Sequence, residues 1–342
     1  MSKNVRSLAV GIVLTVVFLY FFGRSVAWKE VPAQIVDVSI PLFLLTIPLA
    51  VFHFVTRALR WQVLIAREKP DVRFRNLVSA NAVGFTVNAV VPGRLGELVR
   101  PLYLARKEGL RTGFAIGTVV VERIFDAITN CFLLGLFMVA RPLFSSSWPI
   151  GHEAGESLVY WGTGGAILAA VLITLTLLIY FFREKAERVF TVLVKPLPAK
   201  AGAAVLRVFH GFIEGLEFFR SPSQLGFYFV LSLIVWLGIT LFYWVFFLAY
   251  RVDAPFFMIW PYVFLTAIGA SIPTPGMVGG FHYFSKLGMT LVLGIAASRA
   301  AGMTLVVHAL QIAVTCAVGY GILAREGLTL FQLKRMGESE RR

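Results

Sequence analysis

The chain has 342 residues, of which 58% are hydrophobic and only 15% are charged, and its mean hydropathy is +0.79. This composition excludes an ordinary soluble domain, in which about a quarter of the residues are charged, and indicates an all-α, polytopic membrane helix bundle. The formal net charge of +14 does not indicate nucleic-acid binding, because the basic residues are scattered between apolar segments, as in loops that face an anionic inner leaflet.

The first apolar run, residues 8–22, follows Lys3 and Arg6 and admits two interpretations. A secretory signal peptide has this charge pattern, and Ser25-Val26-Ala27 loosely resembles a cleavage site. However, Arg24 interrupts the approach to that site, and the run is long enough for a slightly short spanning helix. We therefore expect it to remain as the first membrane anchor.

Six segments of about 17 to 27 residues have the length that a hydrocarbon layer of about 30 Å requires. We predict spanning helices at residues 5–22, 40–59, 114–140, 158–182, 225–250 and 302–323. Residues 183–220 are polar enough to leave the bilayer core, yet apolar residues recur there at helical spacing. That stretch is either a helix on the cytoplasmic interface or a connecting helix packed on the bundle.

Two further apolar regions are interrupted by proline and glycine. Residues 76–107 break at Pro92-Gly93 and continue as a charged amphipathic stretch. Residues 256–294 break at a second turn, which contains Pro273, Pro275, Gly276 and Gly279. Both regions are predicted to form a helix, a break and a second helix, because proline cannot continue an intrahelical hydrogen-bond ladder.

The distribution of Lys and Arg predicts that both broken regions turn back within the membrane. With two re-entrant hairpins, one side carries the basic residues of 3–6, 57–75, 100–111, 183–220 and 325–342. The opposite side then keeps only Arg24, Lys29, Arg141, Arg251, Lys286 and Arg299. The first hairpin is thus expected to enter from the cytoplasm and the second from outside, with both termini cytoplasmic in the inner (plasma) membrane.

This order contains a repeat within a single transmembrane domain, residues 1–342. Two helices, a broken hairpin and a third helix occur in residues 1–140 and again in residues 158–323. Three full crossings in each half orient the halves oppositely, and inverted repeats with broken helices near the midplane are a recurrent transporter plan. The fold prediction is therefore an inverted repeat with two broken re-entrant hairpins.

The break of the first hairpin carries charge. After Pro92-Gly93, the N–H groups and positive dipole end of a new helix favour an anion, and Arg94 adds a fork of donors suited to phosphate or carboxylate. Gly96 permits close approach, and Glu97 is expected either to cap the new helix or to pair with Arg94 or Arg100. These charges either line a substrate path or staple the hairpin tip by internal salt bridges; because an apolar tip would be the less costly structure, we favour the first.

A second charged cluster opens the predicted span 114–140. Glu122 and Asp126 are four residues apart and share a helix face, and Arg123 can reach Asp126. The cluster is expected to face protein or water near the inner boundary of the membrane. It is either part of a substrate site, with Asp126 as a proton carrier, or an interfacial ion network that fixes topology.

The second break supplies freed backbone groups and one titratable side chain. Pro273, Pro275 and Gly276 leave backbone N–H and C=O groups that need partners, and Gly279 permits close packing. His282 is either a proton-responsive group or a hydrogen-bonded packing residue. Asn88, in the first hairpin, is interpreted as a residue that forms hydrogen bonds between helices.

Enzymatic chemistry has little support in this sequence. Cys131 and Cys316 lie in apolar runs without ligand spacing, so neither a disulfide framework nor a metal site is indicated. Nucleophile elbow, phosphate loop, zinc-protease and dinucleotide motifs are missing from the sequence, and we expect no cofactor and no catalysis. An acid/base pair of Glu122 and Asp126 in a membrane-embedded transferase is the remaining catalytic alternative.

The same residues carry a resemblance to a known family. Asn88, Pro92-Gly93-Arg94, Gly96-Glu97 and Arg100, then Glu122-Arg123 and Asp126, then Pro273, Pro275-Gly276 and Gly279 resemble the motifs of the flippase-like family named for the lysylphosphatidylglycerol synthase transmembrane region. The resemblance implies movement of lipids or lipid-linked molecules between leaflets. The chain departs from the family pattern where His282 stands about where a carboxylate usually falls. Some members carry a soluble aminoacyl-transferase domain, and we do not expect their lipid-aminoacylating activity here.

Sequence thus favours a transporter of an anionic lipid, with the substrate bound by Asn88, Arg94, Glu97, Arg100, Glu122, Arg123 and Asp126. The breaks at Pro92, Gly93, Gly96, Pro273, Pro275, Gly276 and Gly279 would act as hinges for alternating access. The alternative from a different class is a non-catalytic membrane partner that stations a lipid- or glycan-modifying enzyme. Partnership with a lipid-synthesis enzyme and homo-oligomerisation stay open.

Overall fold

The computed structural model describes residues 3–91, 94–140, 163–164, 167, 170–171, 173–175, 177–179, 181–199, 202–203, 205–206, 209–210, 213, 221–329 and 332. Regular secondary structure in these ranges is helical, and no strand occurs among them. The predicted class, an all-α polytopic membrane protein, is therefore confirmed.

The first half contains six described helices, and their bounds follow the apolar runs. They are α1 (Lys3–Gly23), the short α2 (Val31–Val36), α3 (Ile40–Ile65), α4 (Phe74–Val90), α5 (Gly96–Glu108) and α6 (Thr112–Ala140). The predicted spans 5–22, 40–59 and 114–140 all fall within helices. The second of them was predicted too short, since α3 continues to Ile65.

The second half contains five described helices longer than a 3-10 turn. Its described helices are α7 (Arg183–Val194), α8 (Pro222–Ala249), α9 (Ile259–Ser271), α10 (Gly280–Leu293) and α11 (Ala297–Glu326), with 3-10 turns at Phe256–Met258 and Pro275–Met277. The predicted spans 225–250 and 302–323 coincide with α8 and α11. The predicted span 158–182 and the stretch 183–220 are described only in part, and α7 falls within the second of them.

Four described helices are long and apolar enough to cross a bilayer: α3, α6, residues 223–249 of α8, and α11. Two shorter apolar helices are Val10–Gly23 of α1 and Phe256–Ser271. Large apolar side chains on α1 and α3, such as Val13, Val16 and Phe52, are exposed, which in a membrane protein marks the surface that meets lipid.

The helices α4 and α5 form an antiparallel hairpin. At its base, Oε1 of Glu108 accepts hydrogen bonds from the backbone N–H of Arg73 (3.2 Å) and from Nδ2 of Asn76 (2.6 Å). Near its tip, Gly84 and Gly96 bring the two backbones into contact. The start of α4 and the end of α5 therefore lie at the same end of the bundle. Pro92 and Gly93 lie outside the described residues.

The helices α9 and α10 form a second antiparallel hairpin. The hydroxyls of Tyr262 and Ser285 are 3.0 Å apart, and Gly269 and Gly280 bring the backbones together near the tip. Between the helices, Gly276 has φ +57°, a left-handed conformation that favours glycine. The predicted helix, break and helix are present here as well.

The two hairpins meet at their tips. Nη1 of Arg94 donates a hydrogen bond to the carbonyl oxygen of Ser271 at 2.9 Å. A Cβ atom on Gly276 would lie 3.0 Å from the carbonyl oxygen of Ala89, so the breaks themselves are in contact. The junction of the two halves is thus formed by the segments that cannot continue as helix.

Helices of the first half pack against helices of the second half. The helix α3 packs against α8, α6 packs against α9, and α11 packs against α4. The helices α3 and α8 thus pack on each other, whereas α6 and α11 each pack on a helix of the other half's hairpin, as a two-fold axis would produce. The inverted repeat stays a prediction, because the counterpart of α1 is described only in part.

Gly96→Ala is expected to destabilise the first hairpin. The added Cβ would clash with the carbonyl oxygen of Gly84 and lie 2.6 Å from Oδ1 of Asn88, and such overpacking costs about 1–3 kcal/mol or more. Thermal unfolding in detergent measures the effect. Gly135→Ala in α6 is the matched control, because no heavy atom lies within 4 Å of its added Cβ; equal melting temperatures for the two variants would contradict this packing.

Candidate functional site

Two arginines on one face of α3 enter the interior. Arg57 is 5% exposed and Arg60 is 0% exposed. The sequence prediction placed the basic residues of 57–75 on the cytoplasmic side; in the structure α3 continues through Arg57 and Arg60 to Ile65, and both side chains are buried rather than in a loop. Their charge is tolerated because carboxylates on α6 face them.

The most buried part of the charge network consists of Arg60, Arg100, Glu122 and Asp126, which we call the inner quartet. Nη1 of Arg60 lies 2.7 Å from Oδ1 of Asp126, and its Nη2 lies 3.4 Å from Oε1 of Glu122. Arg100 pairs with the other oxygen of Glu122. Two positive and two negative charges cancel, so the inner quartet is electrically neutral and joins α3, α5 and α6.

Neutral donors and acceptors complete the inner quartet. Trp236 of α8 donates to Oδ1 of Asp126 at 2.9 Å, and Ser232, one turn away, accepts from Arg60 at 3.2 Å. Arg100 donates to Asn81 of α4 at 2.8 Å, and its guanidinium lies 4.5 Å from the ring centroid of Trp61. These contacts offset part of the desolvation penalty of the buried charges, while Nε of Arg60 and Nε of Arg100 have no hydrogen-bond partner.

A second, looser set of charges surrounds the inner quartet: Arg57, Arg94, Arg123 and Glu97, which we call the outer group. Arg57 and Arg123 share one oxygen, Oδ2 of Asp126, at 3.5 and 3.2 Å. Arg94 and Arg123 share Oε1 of Glu97, each at 3.9 Å. The side chains of Arg94, Glu97 and Arg123 are 29%, 25% and 37% exposed and form the accessible edge of the network, with the buried Arg57 behind them.

Asn88 and Gly96 fix the position of the outer group. Oδ1 of Asn88 accepts a hydrogen bond from the backbone N–H of Gly96 at 2.8 Å, and its Nδ2 donates to Glu97 at 3.4 Å. Arg94 has φ +53°, an uncommon conformation for a residue with a side chain, and this turns its guanidinium toward the second hairpin. The predicted role of Asn88 as a substrate ligand stays a prediction, since its amide already holds the tip.

All seven predicted binding residues come together in this network. Sequence reasoning missed Arg57 and Arg60, which take part in the same contacts, and the Trp236 and Ser232 partners on α8. One signal was available: His53, Arg57 and Arg60 are spaced four and three residues apart, which places them on one helix face. Nothing in the sequence near Trp236 indicates its partner.

A largely apolar cavity of about 220 Å³ adjoins the network. Arg57, His53 and Trp236 line one part of it, and its remaining wall is largely formed by apolar side chains that include Phe54, Phe85, Phe242, Val263, Ala267 and Phe281. Nε2 of His53 accepts from Nε of Arg57 at 2.8 Å, so the imidazole is neutral and its proton lies on Nδ1, which has no hydrogen-bond partner. The cavity thus has a charged end and an apolar body.

The predicted residues of the second break lie apart from the ion pairs. His282 accepts a hydrogen bond from the backbone N–H of Gly279 at 3.3 Å and packs edge-on against His308, with ring centroids 4.6 Å apart. These contacts fit the packing interpretation of His282, and a proton role stays a prediction. In the described part of the chain, no group of three or more His, Cys, Asp or Glu side chains is arranged to hold a metal ion.

These features define a multi-pass helical membrane protein in which a buried arginine–carboxylate network lies at the junction of two broken hairpins. The chain belongs to the family described as the lysylphosphatidylglycerol synthase TM region, whose model matches residues 8–319. It is also similar to a UPF0104 membrane protein of Methanocaldococcus jannaschii, with 22% identity over 145 residues. That match covers 41% of this chain and 43% of the relative, and no solved structure matches the chain.

Glu122→Gln is expected to destabilise the bundle strongly. The variant keeps the shape of the side chain but leaves Arg60 and Arg100 with one carboxylate between them, and breaking a buried pair costs about 3–5 kcal/mol. Melting temperature and monodispersity in detergent measure this. Asp37→Asn, which breaks the exposed pair with Arg251, is the control and should change stability by less than about 1 kcal/mol; equal effects would contradict the assignment of Glu122.

Proposed function

We propose that the chain is a transporter that moves an anionic lipid or lipid-linked molecule between the leaflets of the cell's inner membrane. The observation that carries the proposal is a charge network with surplus positive charge at the tips of two broken hairpins, directly beside an apolar cavity. The proposal assigns no chemical reaction to the chain.

The head group is proposed to bind at the outer group. Arg94 and Arg123 are partly exposed, and each is about 3.9 Å from the single carboxylate oxygen they share, so both retain capacity for a further anion. Arginine suits this role because its planar fork matches phosphate and carboxylate oxygens. In the empty site, Glu97 would neutralise one of the positive charges of the arginines.

The cavity supports an amphiphilic substrate rather than a free anion. Arg57 belongs both to the outer group and to the cavity wall, so a ligand held by the arginines can extend into apolar surroundings. Ligand sites of this kind, mostly apolar with a few placed polar groups, orient one end of a molecule and bury the other.

The hairpin arrangement supports movement across the membrane. Broken helices that meet near the midplane of an inverted repeat allow access to alternate between the two sides. In the proposal the α4–α5 hairpin enters from the cytoplasm, the α9–α10 hairpin enters from outside, and both termini are cytoplasmic. The Arg94 to Ser271 hydrogen bond joins the two tips, and rearrangement at this junction would open one side at a time.

A non-catalytic partner of a lipid- or glycan-modifying enzyme would not need the surplus arginines. The neutral inner quartet alone would hold α3, α5 and α6 together, and extra arginines at the edge would add only cost near lipid. The surplus charge and the adjoining cavity therefore favour a bound substrate.

Arg94→Gln is expected to slow lipid transport at least about tenfold, because one charge-assisted contact to the head group contributes about 1.5–3 kcal/mol. The assay follows the leaflet exposure of a fluorescent anionic lipid in reconstituted vesicles. Arg111→Gln is the matched control, since Arg111 pairs with Glu68 at an exposed site. Full transport by Arg94→Gln at equal reconstitution would contradict the assignment of the head-group site.

Ala267→Phe is expected to block the cavity and to reduce transport at least about tenfold while the protein still folds. Ala267 lines the cavity and is not fully buried, so a larger side chain fills the space that the substrate would occupy. Ala324→Phe, on an exposed part of α11, is the control. Unchanged transport with the cavity filled would show that the apolar part of the substrate travels elsewhere.

A further inference from the structure

The network separates into two layers that differ in charge. The inner quartet contains two arginines and two carboxylates and is neutral. The outer group contains Arg57, Arg94 and Arg123 against Glu97 and keeps a surplus of two positive charges. The surplus lies where the network is partly open, so its natural complement is a ligand that brings two negative charges.

Hydrogen-bond donors without a partner also indicate an anionic ligand. Each arginine carries five N–H donors, whereas a carboxylate offers about four acceptor positions. Nε of Arg123, at the edge of the network, and Nδ1 of His53, in the cavity wall, are buried and lack a hydrogen-bond partner, as do the Nε atoms of Arg60 and Arg100 deeper inside. A ligand rich in acceptor oxygens would satisfy donors that the described side chains leave open.

We infer that the head group recognised here is a dianionic phosphate, that is, a phosphate monoester or a diphosphate at the end of a lipid. This inference rests on the proposed transport function and narrows its substrate class. A phosphate monoester carries about −1.5 to −2 charges at pH 7, with three strong acceptor oxygens. A phosphodiester head group carries only one negative charge and would leave one positive charge uncompensated beside lipid.

The apolar cavity distinguishes a lipid from inorganic phosphate. Inorganic phosphate has the same charge and the same oxygens but nothing to fill the space lined by Phe54, Phe242 and Phe281. A lipid phosphate gains from burial of its apolar chain in addition to its contacts with arginine. The two ligands therefore share a head-group chemistry and should differ in affinity.

The test measures binding to the delipidated full-length chain in non-ionic detergent at pH 7.5, by native mass spectrometry and by thermal shift. The probes are phosphatidic acid, phosphatidylglycerol with the same acyl chains, and inorganic phosphate. We expect phosphatidic acid to bind at least about tenfold more tightly than phosphatidylglycerol, because it makes additional charge-assisted hydrogen bonds. Inorganic phosphate at the same concentration should give no shift.

Charge variants connect this preference to the outer group. Arg123→Gln removes one of the two surplus charges and should reduce the preference for phosphatidic acid to about threefold or less, whereas Arg111→Gln should leave it unchanged. Arg57→Gln is a second variant, from the cavity wall, with the same expectation.

Each contrary result has a definite meaning. Equal affinity for the two lipids, or a preference that survives both variants, would overturn the dianion inference and leave lipid transport standing. A shift by inorganic phosphate equal to that by phosphatidic acid would overturn the lipid part of the inference. Preference as expected, together with no movement of any lipid in vesicles, would instead refute the proposed transport function.

Discussion

The pairing of Glu122 and Asp126 with arginines from other helices is the constraint on which this structure depends. A buried carboxylate without a partner is strongly unfavourable in an apolar interior, and an arginine at the centre of a membrane helix costs about 2.5–3.5 kcal/mol even by the lower estimates. The arginines and the carboxylates therefore each offset the cost of burying the other. Because Arg60, Arg100 and the two carboxylates lie on three different helices, satisfying their charges also fixes the positions of α3, α5 and α6.

The charge network as a whole carries a positive surplus, which packing alone does not require. Ion pairs that serve packing alone need equal numbers of opposite charges, and the inner quartet has them. The outer group does not, and its ion contacts, at 3.2 to 3.9 Å, are on average longer than that between Arg60 and Asp126. Loosely held and in surplus, with Arg94 and Arg123 partly exposed, these arginines have the properties of a site for an anion rather than of a structural ion pair. The cavity beside Arg57 then supplies the surroundings that an apolar chain needs.

Much of the fold could be predicted from the sequence, because apolar length and proline-glycine breaks are strong local signals in membrane proteins. The runs that became α1, α6, α8 and α11, and the breaks before Gly96 and Gly280, were visible as composition alone. The end of α3 could not be predicted in this way, since the apolar run stops just before Arg60 although the helix continues to Ile65. The burial of Arg57 and Arg60 depends on the carboxylates of α6 that lie opposite them, and that is tertiary information.

The candidate site was predictable in part for the same reason. Charges inside or next to apolar segments, as at Arg94, Arg100 and Glu122, stand out in any hydropathy pattern. Their partners cannot be read from the hydropathy pattern, because contacts such as that of Asp126 with Trp236 join residues far apart in the chain. The division into a neutral inner quartet and a positive outer group depends on distances, and no spacing rule along a single helix contains it.

The most direct test of the central claim is the side of the membrane on which the hairpin ends lie. In a background with Cys131→Ser and Cys316→Ser, single cysteines are introduced by Asp71→Cys and Arg111→Cys beside the α4–α5 hairpin, and by Asp253→Cys and Ala296→Cys beside the α9–α10 hairpin. All four positions are exposed. The account predicts that a membrane-impermeant maleimide labels positions 253 and 296 in intact cells, and positions 71 and 111 only after permeabilisation. Labelling of 71 and 111 from opposite sides would contradict it.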